Sequence, residues 1–112
     1  MNRRVLLVDD DALVRMLVSV LLEAEGWQVE AAGSLAEARA ALGGGPPPRV
    51  LVLDAQLPDG NGLSLLDAME CGGGTHVVLH SGHDDGEVPA GVDAVVSKLG
   101  APGELADHLA TL

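Results

Sequence analysis

Short apolar runs alternate along the chain with stretches of helical periodicity. "RVLLV", Arg4–Val8, is a β-branched and Leu run stopped by Asp9, Asp10 and Asp11, which predicts a buried strand. From Ala12 to Glu25 the residues Leu13, Leu17, Val20, Leu21 and Ala24 recur at helical spacing, with Asp11 as N-cap and Gly26 as the stop. "WQVEAA" then alternates like a strand, and "SLAE", Ser34–Glu37, is a capping box that opens a second helix to about Leu42. "GGGPPP", Gly43–Pro48, predicts a loop. "VLVLD" is a third strand, followed by a turn-rich run and a helix from about Leu63 to Glu70 carrying Leu65, Leu66 and Met69. "HVVLH" is a fourth strand and "DAVVSK", Asp93–Lys98, a fifth. "PGELADHLATL" closes the chain as a helix with Pro102 near its first turn.

Strands that alternate with helices pair in parallel, and strands covered on both faces read as continuous apolar runs. "VLLV", "VLVL" and "HVVL" do so. Ligands of an open parallel sheet bind beyond the carboxyl ends of its strands, so the residues that follow each strand matter most. Asp9 and Asp10 follow the first strand, Asp54 the third, Ser81 the fourth and Lys98 the fifth. If the first and third strands are neighbours, three carboxylates crowd together and call for a shared cation. Mg2+ (or Mn2+) suits such a set, since it takes a few carboxylates and leaves room for phosphate oxygens. A carboxylate can also act as a nucleophile toward phosphorus, with Lys98 as a second cation and Ser81 as a hydrogen-bond donor.

Length and composition narrow the picture. The 112 residues fit one domain, and the 47% hydrophobic content is enough for one core, built from Leu, Val and Ala because Phe and Tyr are absent. No apolar run approaches the roughly 18 residues that cross a bilayer, and no basic-then-apolar leader opens the chain, so a soluble cytoplasmic protein without membrane contact is expected. The lone Cys71 forms no internal disulfide. A net charge of −11, from six basic and 17 acidic residues, repels a phosphate backbone and argues against direct nucleic-acid binding.

Together, "LLVDDD…R", "LVLDAQLPDGNG", "HSG" and "SK", in this order, resemble the receiver domain of two-component response regulators, over Val5 to about Leu112. The resemblance implies a flavodoxin-like, doubly wound sheet of five parallel strands in the order 2-1-3-4-5. It implies that Asp54 accepts a phosphoryl group from a phosphohistidine on a sensor histidine kinase or phosphotransfer domain. By position, Asp10 would be the direct metal ligand, Asp9 would act largely through water, and Gln56 would offer its backbone carbonyl. Ser81 matches the switch Ser/Thr and Lys98 the family lysine. The whole chain, 1–112, would be a single receiver domain without an output domain, a monomer or a weak phosphorylation-dependent dimer. Dephosphorylation would be slow.

Three positions depart from the family pattern. Leu99 follows the lysine where proline is usual, and Val95 stands where an aromatic residue swings in other members. Lys98 follows Ser81 by only 17 positions, which leaves "DDGEVPAG" to hold a shortened fourth helix. These point to output through another surface or an altered switch. Two other functions stay open: a phosphorylation-independent pseudo-receiver acting as an interaction module, and an aspartate-nucleophile phosphohydrolase, for which Gln56 replaces the expected second Asp. "NG" at Asn61–Gly62 is a hairpin signal, but the helical periodicity after it places Asn61 at a helix start. His76 and His80, on a strand, are expected at the surface or an edge. His83 lies beside the site.

Overall fold

A computed structural model of the chain describes residues 3–68, 74–81, 91–97 and 103–112. Five strands, β1 (Arg4–Val8), β2 (Gln28–Ala32), β3 (Val50–Leu53), β4 (His76–Ser81) and β5 (Ala94–Ser97), form a parallel sheet in the order β2-β1-β3-β4-β5. This is the expected doubly wound order. The central strands are short, and Val5–Val8 of β1 and Val50–Leu53 of β3 are unbroken apolar runs because both faces are covered.

The strands alternate their side chains between two cores. Val5 and Leu7 of β1, Val50 and Val52 of β3, and Val78 of β4 face α1 (Ala12–Ala24) and the C-terminal helix (Glu104–Leu109). Leu6, Val8, Leu51, Leu53, Val77 and Leu79 face α2 (Leu35–Gly43) and α3 (Leu65–Ala68). Trp27 is buried in the first core, with the Arg3 guanidinium 4.4 Å from its ring centroid. Val95 is half-buried against the second core. The segment 82–90, expected to hold a shortened fourth helix, lies outside the described residues, as do Lys98, Leu99, Met69 and Cys71.

The structure refines two local expectations and corrects one. The inward face of α1 carries Val18 and Leu22, with Val14 and Leu21 partly buried, whereas Leu13, Met16, Leu17 and Val20 are 72, 62, 50 and 61% exposed. Both stripes are apolar at helical spacing, so periodicity alone does not say which one the sheet covers. The run after Asp54 does form a small antiparallel hairpin, Gln56–Leu57 with Gly60–Asn61. Its turn is Pro58–Asp59, however, and Asn61 caps the following helical turn by accepting from the Leu63 amide at 2.9 Å. That turn is 3-10 over Gly62–Ser64 before α3 begins. Finally, His80 is buried rather than at the surface, while His76 is partly exposed.

Candidate functional site

Pairing of β1 with β3 sets Val8 level with Leu53, so the residues that follow, Asp9 and Asp54, leave the sheet side by side. The ladder continues one step past the strands: the Asp54 amide donates to Val8 O at 2.9 Å and the Asp9 amide to Ala32 O at 3.0 Å. Carboxylate oxygens of Asp9, Asp10 and Asp54 lie within 4.8 Å of one another, with Asp9 and Asp54 buried and Asp10 exposed. At that spacing each ionised pair repels by about 3 kcal/mol at an effective dielectric of about 20. A set of hard oxygens this close can share one cation.

The loops on either side are built to hold these acids. Asp9 Oδ1 accepts from the Asp11 amide at 2.9 Å, and the Arg15 guanidinium donates to the Asp9 carbonyl at 2.7 Å, which fixes the β1–α1 turn. Asp11 caps α1 through the Leu13 and Val14 amides at 2.9 and 3.3 Å. Across the cluster, Asp54 Oδ1 accepts from the Gln56 amide at 3.1 Å, which orients the carboxylate and tightens the loop. Gly62 donates to Ala55 O at 2.8 Å and packs so closely that a Cβ would run into the Asp54 carbonyl oxygen. Its φ is not in the left-handed region, so glycine is needed there for space.

Of the sequence-predicted site residues, the structure brings Asp9, Asp10 and Asp54 together and sets Gln56 beside Asp54. Ser81 ends β4, paired with Ser97 of β5; because Leu79 pairs with Leu53, β4 runs two residues further than β3 at this end of the sheet. Lys98 follows Ser97 directly but is outside the described residues, as is His83.

Sequence reasoning missed Asp59. Its carboxylate accepts from the Leu35 amide at 2.8 Å and the Ala36 amide at 3.1 Å, at the start of α2. The Leu35 bond is the main reason its carboxyl lies below the ordinary value; partial desolvation opposes the shift, and the Ala36 amide and the Arg39 charge add to it. A signal was available. Ser34, the N-cap, accepts only from Glu37, and a helix leaves its first amides without internal partners. Water or a side chain from elsewhere must serve the Leu35 and Ala36 amides, and here Asp59 does.

The model of the response regulator receiver domain family matches residues 5–110. The transcriptional regulatory protein AruR of Pseudomonas aeruginosa is 35% identical over 86 residues, covering 73% of this chain and 35% of that protein. The acid tolerance regulatory protein ActR of Rhizobium meliloti is 34% identical over 118 residues, covering 99% of this chain and 58% of that one. The chain thus spans less than two thirds of these curated relatives. Among solved structures, a CheY-like response regulator receiver domain protein from Methanospirillum hungatei superposes with a TM-score of 0.84 at 26% identity, covering 99% of this chain and 93% of that one. A signal receiver domain from Bermanella marisrubri gives 0.85 at 25% identity, covering 100% and 98%. With the family model spanning nearly its whole length, the chain belongs to the receiver domains of two-component response regulators.

Proposed function

We propose that Asp54 accepts a phosphoryl group from a phosphohistidine on a sensor histidine kinase or a histidine phosphotransfer domain. Mg2+ would be held by Asp9, Asp10, Asp54 and the backbone carbonyl of Gln56. The observation that carries this reading is the gathering of three carboxylates within 4.8 Å at the carboxyl ends of adjacent strands. The donor set fits the ion in kind: all are hard oxygens, close enough together to share one cation. When bound, Mg2+ supplies charge neutralisation for the carboxylates and the phosphoryl oxygens.

The chain's own residues do the rest. An Asp54 oxygen attacks phosphorus while the P–N bond to the donor imidazole breaks; the electron pair stays on that imidazole nitrogen, which takes up a proton. An acyl phosphate on Asp54 results. The Gln56 amide on Asp54 Oδ1 sets the carboxylate's orientation, and Arg15 holds the backbone of Asp9 in place. Lys98 and Ser81, by their places after β5 and at the end of β4, supply an ammonium and a hydroxyl to the phosphoryl oxygens. We place the donor's docking face on the outward stripe of α1, Leu13, Met16, Leu17 and Val20, because this exposed apolar helix begins directly after Asp9, Asp10 and Asp11.

Incubation with Mg2+ and a small phosphodonor, followed by intact mass, tests this reading. One phosphoryl adduct per chain is expected, absent in Asp54→Asn and absent with chelator. A native chain that takes no adduct and binds no Mg2+ overturns the reading in favour of a pseudo-receiver. Sustained phosphate release over many turnovers would instead mark a hydrolase.

A further inference from the structure

At the opposite end of the sheet from Asp54, two histidines meet where the chain's last helix reaches the start of β4. His76, the first residue of β4, and His108, near the end of the C-terminal helix, bring their Nε2 atoms to 3.1 Å, with ring centroids 5.3 Å apart and planes tilted by 31°. Behind His76, Asp93 Oδ2 stands 3.9 Å from Nδ1. That oxygen is itself anchored, accepting the Val77 amide at 2.8 Å. A carboxylate on the Nδ1 side is placed to hold a proton on Nδ1 once the ring moves in to hydrogen-bond distance, which leaves the Nε2 lone pair for a ligand. Imidazoles oriented from behind by a carboxylate are how proteins prepare histidine ligands for zinc.

We propose that His76 and His108 form a site for a borderline divalent transition ion, Zn2+ foremost, both binding through Nε2, with Asp93 as the positioning residue. Two nitrogens at 2.0–2.1 Å on a tetrahedral Zn2+ stand about 3.3 Å apart, so the pair opens by only about 0.2 Å to admit the ion. Water fills the remaining positions on the exposed side. The ligand chemistry separates this site from the acidic cluster, since imidazole selects zinc, copper or nickel while carboxylates suit Mg2+. Occupancy would tie the last helix, with Leu105 and Leu109 in the core, to the sheet.

The test is calorimetric titration of the metal-free, untagged chain with Zn2+ in excess Mg2+, with the imidazole nitrogen resonances followed in parallel. One saturable equivalent is expected, shifting the His76 and His108 rings together and slowing amide exchange over Glu104–Leu109. His76→Ala and His108→Gln should each abolish that equivalent, Asp93→Asn should weaken it by about 10- to 100-fold, and Asp10→Asn should leave it intact. No saturable binding overturns the site. Binding that survives both histidine variants, or that leaves both rings unshifted, also overturns it.

Discussion

Between β3 and α3, single residues fix the shape of the loop, and their substitution separates charge from space. Asp59 ties that loop to α2 through two amides, and its carboxyl is held below the ordinary value. A lowered folded value means that the stabilisation is fully present above the unfolded value and is lost as pH falls through the folded one. Asp59→Ala should therefore melt below the native chain at pH 7, and the gap should narrow once pH drops below about 4. Melting curves at pH 7 and pH 3 that keep the same gap would show that the charge contributes nothing. Gly62 works by space. Adding a methyl against the Asp54 carbonyl should cost about 1–3 kcal/mol, as overpacking does, read as a lower urea midpoint for Gly62→Ala. Because the displaced carbonyl belongs to Asp54, the proposed acceptor, the same variant should also take up phosphoryl groups more slowly from a small donor.

At the scale of elements, α1 is an apolar helix with one face in the core and the other in solvent. Leu22 is fully buried and Leu17 half exposed, so Leu22→Ala should cost about 2–5 kcal/mol while Leu17→Ala stays within about 0.5. If the outward stripe receives the phosphodonor, polar substitution of Leu13 and Leu17 should slow transfer from a phosphohistidine protein and leave transfer from a small phosphodonor unchanged. Equal slowing with both donors would remove docking from this face. The helix was legible in the sequence but its inner face was not, for a physical reason: ten of its thirteen residues from Ala12 to Ala24 are Ala, Val, Leu or Met, so the pattern marks a helix without marking its inner side. The strands were legible for the opposite reason, since buried parallel strands have no outer face to confuse the run. Their order was not written in any periodicity; it came with the family resemblance. The carboxylates were legible because they stop apolar runs; the start of α2 signalled a need for further acceptors but did not identify Asp59, whose partners lie 24 and 23 residues away on α2.

Across the whole molecule, the charge of −11 and the buried acidic cluster act against folding together, and cations relieve them in distinguishable ways. Monovalent salt screens the general repulsion and should raise the melting temperature of native and variant chains alike. Mg2+ bound only by the folded state adds a site-specific gain, about 2.7 kcal/mol at 100 times its dissociation constant, which is roughly 10 °C for a chain of this size. Asp54→Asn removes one like charge from the cluster, so it should melt above the native chain in the absence of divalent ions. With one ligand gone, it should then gain much less from Mg2+. The two effects have opposite signs, so the melting curves of native and Asp54→Asn should converge or cross as Mg2+ is added at constant ionic strength. Parallel curves would mean that the ion acts on the general charge and that Asp9, Asp10 and Asp54 do not hold it.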